Sequence, residues 1–556
     1  MSLALAVGFS CGGRTGLDLP PAPEAEAGPD SSPDGGPESD GPSVVDAEAG
    51  TDAAGDSALG DAADAEAGCP LGAAPRLLSP LSTAIATSSR PTLRWVAPPN
   101  GCGAASVDVC ADRACTQSLG TVTVDPSGTS GSPDAALPDG PVFWRVRSPG
   151  GASATWEFFV AGAAGRDASH GSVPDFDGDG HPDLAVGQMG YEGSVGAANV
   201  YRGSASGISA GSLTSFPSPQ VGPWTDWRVT TGGDLDGDGF GDLVRADINV
   251  TPGSPTMDLV RIDFGGAQGV DVARELVIEP PDMAQFGRTI VAAGDVDGDG
   301  YADLMVTSYP STTEAPLGAA YLYRGGPGGP ASTPIEVAKD TAQFGLGSTA
   351  CDVDGDGRPE LMVNAGSVPG VFVYKWTGST FSQLELIPGD TSGDFGWDLA
   401  TGDFDGDGHC DLLAGSGESA VKLFLGVAGG FQTTPAQTFT TALGTLPASA
   451  GDVDGDGSDD ILIGAEFAGP FSPTLIFGRT WTMLPLPMFD EEDTVPVAGV
   501  GDLDGDGHYD VAVGEPSADA VMLYSGAALQ QGAVQPWTTL TRMSGYSLFG
   551  YSIGRL

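Results

Sequence analysis

The nine residues DFDGDGHPD (175–183) return six more times along the chain. The later copies are DLDGDGFGD (234–242), DVDGDGYAD (295–303), DVDGDGRPE (352–360), DFDGDGHCD (403–411), DVDGDGSDD (452–460) and DLDGDGHYD (502–510). Their first aspartates lie 59, 61, 57, 51, 49 and 50 residues apart. Self-similarity at such a period restricts the fold to an iterated supersecondary unit. The surroundings say which unit. An apolar strand follows the loop directly, as in LAVG (184–187), LMV (304–306), ILIG (461–464) and VAVG (511–514). About ten residues on, a second strand ends near a glycine, as in ANVYRG (198–203), AAYLYRG (319–325), AVKLFLG (420–426) and AVMLYSG (520–526). Three or four short strands per period make one blade of a β-propeller. Seven copies therefore predict seven blades over 166–556, in an all-β chain.

The loop chemistry points to a hard cation. Calcium takes six to eight oxygens. Alternate positions 1, 3 and 5 let a turning backbone aim three carboxylates inward: Asp175, Asp177, Asp179; Asp234, Asp236, Asp238; Asp295, Asp297, Asp299; Asp352, Asp354, Asp356; Asp403, Asp405, Asp407; Asp452, Asp454, Asp456; and Asp502, Asp504, Asp506. Glycines at positions 4 and 6 permit the left-handed conformations that such a turn needs. Position 7 varies (His181, Phe240, Tyr301, Arg358, His409, Ser458, His508), as expected where only a backbone carbonyl is a ligand. Position 9 is acidic in every copy (Asp183, Asp242, Asp303, Glu360, Asp411, Asp460, Asp510), which suits a bidentate carboxylate. Position 2 is always apolar and is expected to anchor the loop on its sheet. An EF-hand is excluded because position 12 of the first copy is Val186 rather than glutamate, and a strand follows instead of a helix. A solvated acidic turn explains one copy but not seven. About seven structural Ca2+ ions are expected.

Phe-Gly pairs precede loops three to five (Phe286-Gly287, Phe344-Gly345, Phe395-Gly396). The order Phe-Gly, DxDGDGxxD, apolar strand, aromatic-x-Gly resembles the FG-GAP repeat of integrin α-subunit propellers and their bacterial relatives. The resemblance implies a seven-bladed propeller with a calcium loop in a hairpin of each blade. Departures are the missing Phe-Gly before loops six and seven, and Glu360 and Cys351 around loop four. LFGYSIGRL (548–556) repeats the Phe-Gly strand with no loop after it. That segment is expected to dock beside the first blade and close the ring, removing open edges.

Upstream, 12–68 is almost wholly Ala, Asp, Glu, Gly, Pro and Ser, and reads as a disordered acidic tether. Four alternating segments in 69–162, RPTLRWV (90–96), ASVDVCAD (105–112), PVFWRVRS (141–148) and ATWEFFV (154–160), predict a small β-sandwich. That stretch resembles a fibronectin type III or immunoglobulin-like domain. MSLALAVGFSC at the start resembles the end of a bacterial lipoprotein signal, with Cys11 as the lipidated residue. Four cysteines between 69 and 115 fit disulfides in an exported protein; three pairings are possible, of which Cys69–Cys102 with Cys110–Cys115 is the expected one. Cys351 and Cys410 lie beside equivalent loops and read as buried thiols more readily than as a bridge.

The net charge of -52 excludes nucleic-acid partners and anionic lipid surfaces. Three of the four histidines occupy loop position 7, and His170 has no evident nucleophile partner. No catalytic motif is present, so no enzyme is expected. The expected function is a secreted or surface-anchored calcium-binding propeller, monomeric, acting as an adhesion module for an extracellular glycan or protein on a bacterium. The membrane is met only through a lipid on Cys11. The alternatives are a structural envelope protein and a propeller-type lyase or hydrolase. Trp224, Trp227, Trp397 and Tyr191 are the candidate ligand-stacking aromatics, against a packing role for each.

Overall fold

A computed structural model describes residues 74–555, apart from 98–105, 162–168, 192–195, 218–223, 250–257, 282–284, 310–316, 341–343, 366–367, 390–394, 417–419, 441–445, 469, 490–492 and 543–546. The expected tether, Cys11 and the Cys69–Cys102 pair lie outside the described residues.

Two sheets come first. One orders Arg76–Ser79, Leu93–Val96, Ser130–Pro133 and Val122–Val124. The other orders Ser169–His170, Ile85–Ala86, Trp156–Val160, Gly140–Ser148, Ser106–Cys110 and Ser118–Gly120. The four alternating segments of the sequence supply strands to both. Their inward residues share one core, including Trp95, Val142, Trp144 and Phe158. Trp144 and Trp156 meet edge to face at 6.3 Å, the arrangement that ring quadrupoles favour. Cys110 and Cys115 form a disulfide at one end of this sheet pair.

Antiparallel strands follow in sets of four, one set per loop; the first two sets join in one eight-stranded sheet, and the sixth gains Asp493–Val495 as a fifth strand. The third set is representative: Gln285–Gly294, Asp303–Tyr309, Gly318–Tyr323 and Ile335–Asp340 in consecutive order. The acidic loop joins the first strand to the second. Middle strands are apolar on both faces because sheets pack on both sides; Leu304, Met305 and Val306 are all fully buried. Each first strand packs against the first strand of the next sheet: Trp224–Thr231 on Gln285–Gly294, then Ser348–Cys351, Leu399–Gly402, Leu446–Gly451 and Val497–Gly501.

The circuit closes through the last strand. Ser547–Ile553 pairs antiparallel with Leu184–Tyr191, placing Gln188 opposite Phe549 and Val186 opposite Ile553. It thus serves as the first strand of repeat one, whose other strands are Ala197–Tyr201 and Leu213–Pro217. Phe549 packs on Tyr201 at 6.3 Å, just as Phe286 packs on Tyr323 at 6.2 Å and Phe395 on Phe424 at 6.0 Å. The Phe of the Phe-Gly pair is therefore a core anchor against the second hairpin strand of its own repeat. The glycine after it takes φ of +80 to +86° at Gly287, Gly345, Gly396 and Gly550, where a side chain is strained. Repeats one and two also share a short pairing, Gly190 with Thr225, so their sheets are continuous.

Candidate metal centres

Each loop is built by its own acids before any ion is considered. The position-1 carboxylate accepts backbone N–H groups from across the turn. Gly178 N–H donates to Asp175 Oδ1 at 2.6 Å and Gly180 N–H to Oδ2 at 2.8 Å. The same pair recurs at Asp234, Asp295, Asp352 and Asp502. Both loop glycines have positive φ, 64 and 88° in the first copy. A side chain at position 4 or 6 would be strained there, which explains their fixed spacing.

Position 9 has a second role that the sequence did not show. One of its oxygens accepts the N–H of position 2: Phe176 to Asp183 at 2.9 Å, Leu235 to Asp242 at 2.8 Å, Leu503 to Asp510 at 3.0 Å. The other accepts the N–H of the glycine that ends the next strand: Gly203 to Asp183 at 2.7 Å, Gly265 to Asp242 at 3.0 Å, Gly526 to Asp510 at 2.9 Å. This acid braces loop to hairpin, and at Asp183, Asp242 and Asp411 it also joins the acidic cluster. Repeat four has Trp376 where that glycine stands elsewhere, and Lys375 Nζ meets Glu360 Oε1 at 3.1 Å instead. The exceptional glutamate thus accompanies an exceptional partner. A carboxylate carries about four lone-pair sites, so two N–H donors leave room for a metal.

Among the described residues, loops one to five each gather three carboxylates with oxygens within 4.8 Å of one another: positions 1, 3 and 9 in loops one, two and five, but positions 1, 3 and 5 in loops three and four. The first kind comprises Asp175–Asp177–Asp183, Asp234–Asp236–Asp242 and Asp403–Asp405–Asp411. Every position-9 acid is at most 1% exposed. Burial pushes the carboxyl up to about 6 at Asp175 and Asp295, and to about 8 at Asp411, Asp460 and Asp510, with the neighbouring aspartates adding to the shift. Such a group resists ionising unless a cation arrives. The Arg202 guanidinium contacts Asp177 Oδ2, and Oδ1 is buried without a hydrogen-bond donor. Arg274 contacts Asp236, Arg324 meets Asp297 at 2.7 Å, and Lys375 meets Asp356 at 2.8 Å. All-oxygen donors, hard anions and a charge deficit fit a divalent cation of the calcium type. The side chains of Asp179, Asp299 and Asp407 also turn back on the loop, accepting the N–H of His181, Tyr301 and His409.

Positions 7 and 8 make contacts that the sequence did not show. In three copies the position-7 side chain lies over the preceding loop. The Tyr301 ring covers Gly237, the Arg358 guanidinium covers Gly298, and the His508 ring covers Gly455, its Nδ1 3.1 Å from the Val453 carbonyl. Phe240 receives the Arg113 guanidinium at 4.2 Å. The position-8 N–H donates to the position-1 carbonyl of the preceding loop: Gly241 to Asp175 at 3.1 Å, Ala302 to Asp234 at 3.1 Å, Asp459 to Asp403 at 2.9 Å. Its side chain packs on the residue just before that loop, as Pro359 does on Gly294, Tyr509 on Gly451, and Pro182 on Gly501 across the ring closure. Cys410 occupies position 8 of loop five and Cys351 precedes loop four. They meet at this same joint and form a disulfide, rather than remaining two thiols. Each acidic loop therefore sits at a seam between repeats.

The N-terminal sheets clamp the first three loops. Arg113 donates to the carbonyls of Gly178 (2.6 Å), Gly239 (2.9 Å) and Thr155 (3.0 Å), and lies 3.2 Å from Glu157. Glu157 is fully buried; burial and then the Asp175 charge hold its carboxyl well above the usual range, against Arg113. Arg76 contacts the Asp299 carbonyl and the Tyr301 ring. No sequence motif marks these residues. Of the four candidate stacking aromatics, Trp397 lines a cavity among the first strands. The side chains of Trp224, Trp227 and Tyr191 lie outside the described residues. No helix among the described residues is long and apolar enough to cross a membrane.

Comparison with known proteins agrees with the geometry. The FG-GAP-like repeat model matches 175–244, 295–363, 352–414 and 403–463, and the FG-GAP repeat model matches 448–479 and 495–535. Integrin alpha-PS2 of Drosophila melanogaster is 29% identical over 220 residues, 36% of this chain and 15% of its own length. Integrin alpha-5 of Xenopus laevis is 27% identical over 218 residues, 37% of this chain and 20% of its own. Phosphatidylinositol-glycan-specific phospholipase D of Mus musculus is 33% identical over 187 residues, 31% of this chain and 22% of its own. These matches span about a fifth or less of the curated relatives. A periplasmic gluconolactonase of Pseudomonas aeruginosa is similar in structure at a TM-score of 0.43, with 15% identity over 67% of this chain and 98% of its own, a likeness that carries no further argument.

Proposed function

Because this chain is an FG-GAP-repeat β-propeller protein, we propose that it is an extracellular binding module whose seven blades are held together by about seven calcium ions. The observation that carries this reading is the placement of the carboxylate clusters at the seams between repeats. An ion bound there neutralises acids from one loop while its neighbour's side chains lie on the same turn. Calcium then acts on ring integrity, and the ring presents a broad surface of loops to a ligand.

The N-terminal sheet pair is a fibronectin type III-like sandwich, seated on loops one to three by Arg113 and Arg76. Ahead of it the acidic segment 12–68 is a tether, lipidated at Cys11 on a bacterial surface or cleaved for secretion. The partner is an extracellular glycan or protein, and the propeller is monomeric. The buried loop carboxylates are committed to metal and backbone, which leaves them no part in catalysis. Support for adhesion comes from the similarity to integrin α chains.

The test is a glycan array, with a pull-down from cell-envelope extract, probed with the full chain in 1 mM calcium and again in EDTA. Calcium-dependent retention of a ligand is the expected result. A chain shown to be folded in calcium that retains nothing in either format overturns the binding reading.

A further inference from the structure

Two adjoining cavities of about 180 Å3 each share Thr230, Ile290, Ser348, Leu399 and Arg555, and so form one channel among the first strands of the ring. Its two ends differ in charge. The end beside the loops is lined by Asp352, Asp403 and Asp459, and Ile85 of the N-terminal sheets reaches it. At the other end Arg228, Arg288 and Arg555 converge, and Asp398 is the one carboxylate among the described lining residues. The whole chain has 22 Lys and Arg against 74 acids, so three arginines in one small cavity run against its composition. They come from three different places, the first strands of repeats two and three and the residues after the closing strand.

The wall between them is suited to more than an inorganic anion. Trp397 lines the same cavity, and its Nε1–H is buried with no acceptor. A buried donor without a partner at a cavity wall marks a place for a ligand acceptor. Thr289 and Ser348 line the cavity with hydroxyls that bond each other, and Thr289 also bonds Thr307 Oγ1 at 2.8 Å. Burial and the Arg228 charge lower the proton affinity of Arg555, with Asp398 opposing. Guanidinium forks match carboxylates in bidentate geometry. Aromatic rings beside hydroxyls and an N–H donor suit the apolar face and hydroxyl rim of a sugar. A volume below the roughly 300–1,000 Å3 of drug-sized sites fits one terminal residue rather than a chain segment.

We propose that the arginine-lined end of the channel binds a carboxylate-bearing sugar, a terminal uronate residue, through Arg228, Arg288, Arg555 and Trp397. This names the ligand class for the binding module proposed above and rests on that reading.

The test titrates the full chain in 1 mM calcium with D-galacturonate, D-galactose and inorganic phosphate, read by calorimetry and tryptophan fluorescence. Galacturonate is expected to bind at least tenfold tighter than galactose or phosphate, and to weaken as sodium chloride rises. Arg288→Gln and Arg555→Gln should each reduce that affinity about tenfold or more while retaining the thermal midpoint in calcium. Trp397→Phe should abolish the fluorescence change, which keeps the proposal testable where an arginine variant fails to fold. Equal binding of galactose, equal binding of phosphate (an adventitious ion only), or indifference to Arg288→Gln and Trp397→Phe overturns it. Calcium-dependent capture of neutral glycans or a protein without galacturonate binding overturns this inference alone and leaves the binding module standing.

Discussion

Asp510→Asn should change sign with calcium. In the fold, Asp510 Oδ2 accepts the N–H groups of Leu503 (3.0 Å) and Asp504 (3.2 Å), and Oδ1 accepts that of Gly526 (2.9 Å). Its side chain is fully buried, and burial, then the Asp504 charge, push its pKa from 3.8 to about 8. The sign follows from linkage. A carboxyl raised in the folded state binds more protons folded than unfolded between about pH 4 and 8. Its contribution is therefore fully present below about pH 4 and is lost as pH rises through 8. At pH 7 without metal, that is a penalty of about 4 kcal/mol, at about 1.4 kcal/mol per pKa unit. Asparagine abolishes the penalty but turns one N–H2 toward a backbone donor, which costs about 1–3 kcal/mol. In EDTA the variant should then be more stable than the parent by about 1–3 kcal/mol. In calcium it loses a ligand, and with it at least the roughly 1.4 kcal/mol that one site gives when calcium is tenfold above its dissociation constant. The assay is urea unfolding followed by circular dichroism at pH 7, in 1 mM calcium and in EDTA. A loss of the same sign and size in both buffers refutes the reasoning.

Three other perturbations bear on the seams. The double variant Cys351→Ser, Cys410→Ser opens a disulfide spanning 59 residues, and should lower stability by about 2–4 kcal/mol in a urea titration under non-reducing conditions. Gly501→Ala places a Cβ 2.8 Å from the Pro182 ring at a φ of +76°; a fall of about 1–3 kcal/mol is expected, with a larger effect on thermal midpoint than at an exposed glycine such as Gly429. Removing 548–556 exposes the edge of Leu184–Tyr191 and the Tyr201 ring, and should lower the thermal midpoint sharply and promote aggregation; a truncated chain that melts like the parent would show that Ser547–Ile553 is not needed for closure.

What the sequence made legible was whatever the period repeats. The acids of positions 1 and 9, the two glycines and the strand after each loop recur at fixed offsets, so the loop and its hairpin could be placed from spacing; the backbone N–H groups that those acids accept could not. The Phe-Gly at 549–550 was legible for the same reason, and its strand lies against Leu184–Tyr191 as expected. Contacts between repeats were not legible. Tyr301, Arg358 and His508 share a position but not a side-chain type, yet each lies over the position-4 glycine of the preceding loop. Their variability hid a contact one repeat away. The same blindness hid the Cys351–Cys410 bridge, since nothing in one repeat says that position 8 touches the residue before the previous loop. Arg228, Arg288 and Arg555 fall outside the motif, and only ring closure brings them together. Glu360 read only as a departure from the motif; the structure pairs it with Lys375, in the repeat where Trp376 replaces the glycine.

The central claim is that the seven loops hold calcium at the seams and that the ring depends on it. The most direct test is equilibrium dialysis of the EDTA-stripped full chain against calcium, with the thermal midpoint recorded along the same titration. Seven independent sites at about 1.4 kcal/mol each would add roughly 10 kcal/mol, the scale of a whole domain's stability. The account predicts about seven ions bound per chain and a midpoint that climbs with occupancy. Two ions or fewer, or a midpoint that ignores calcium, would contradict it.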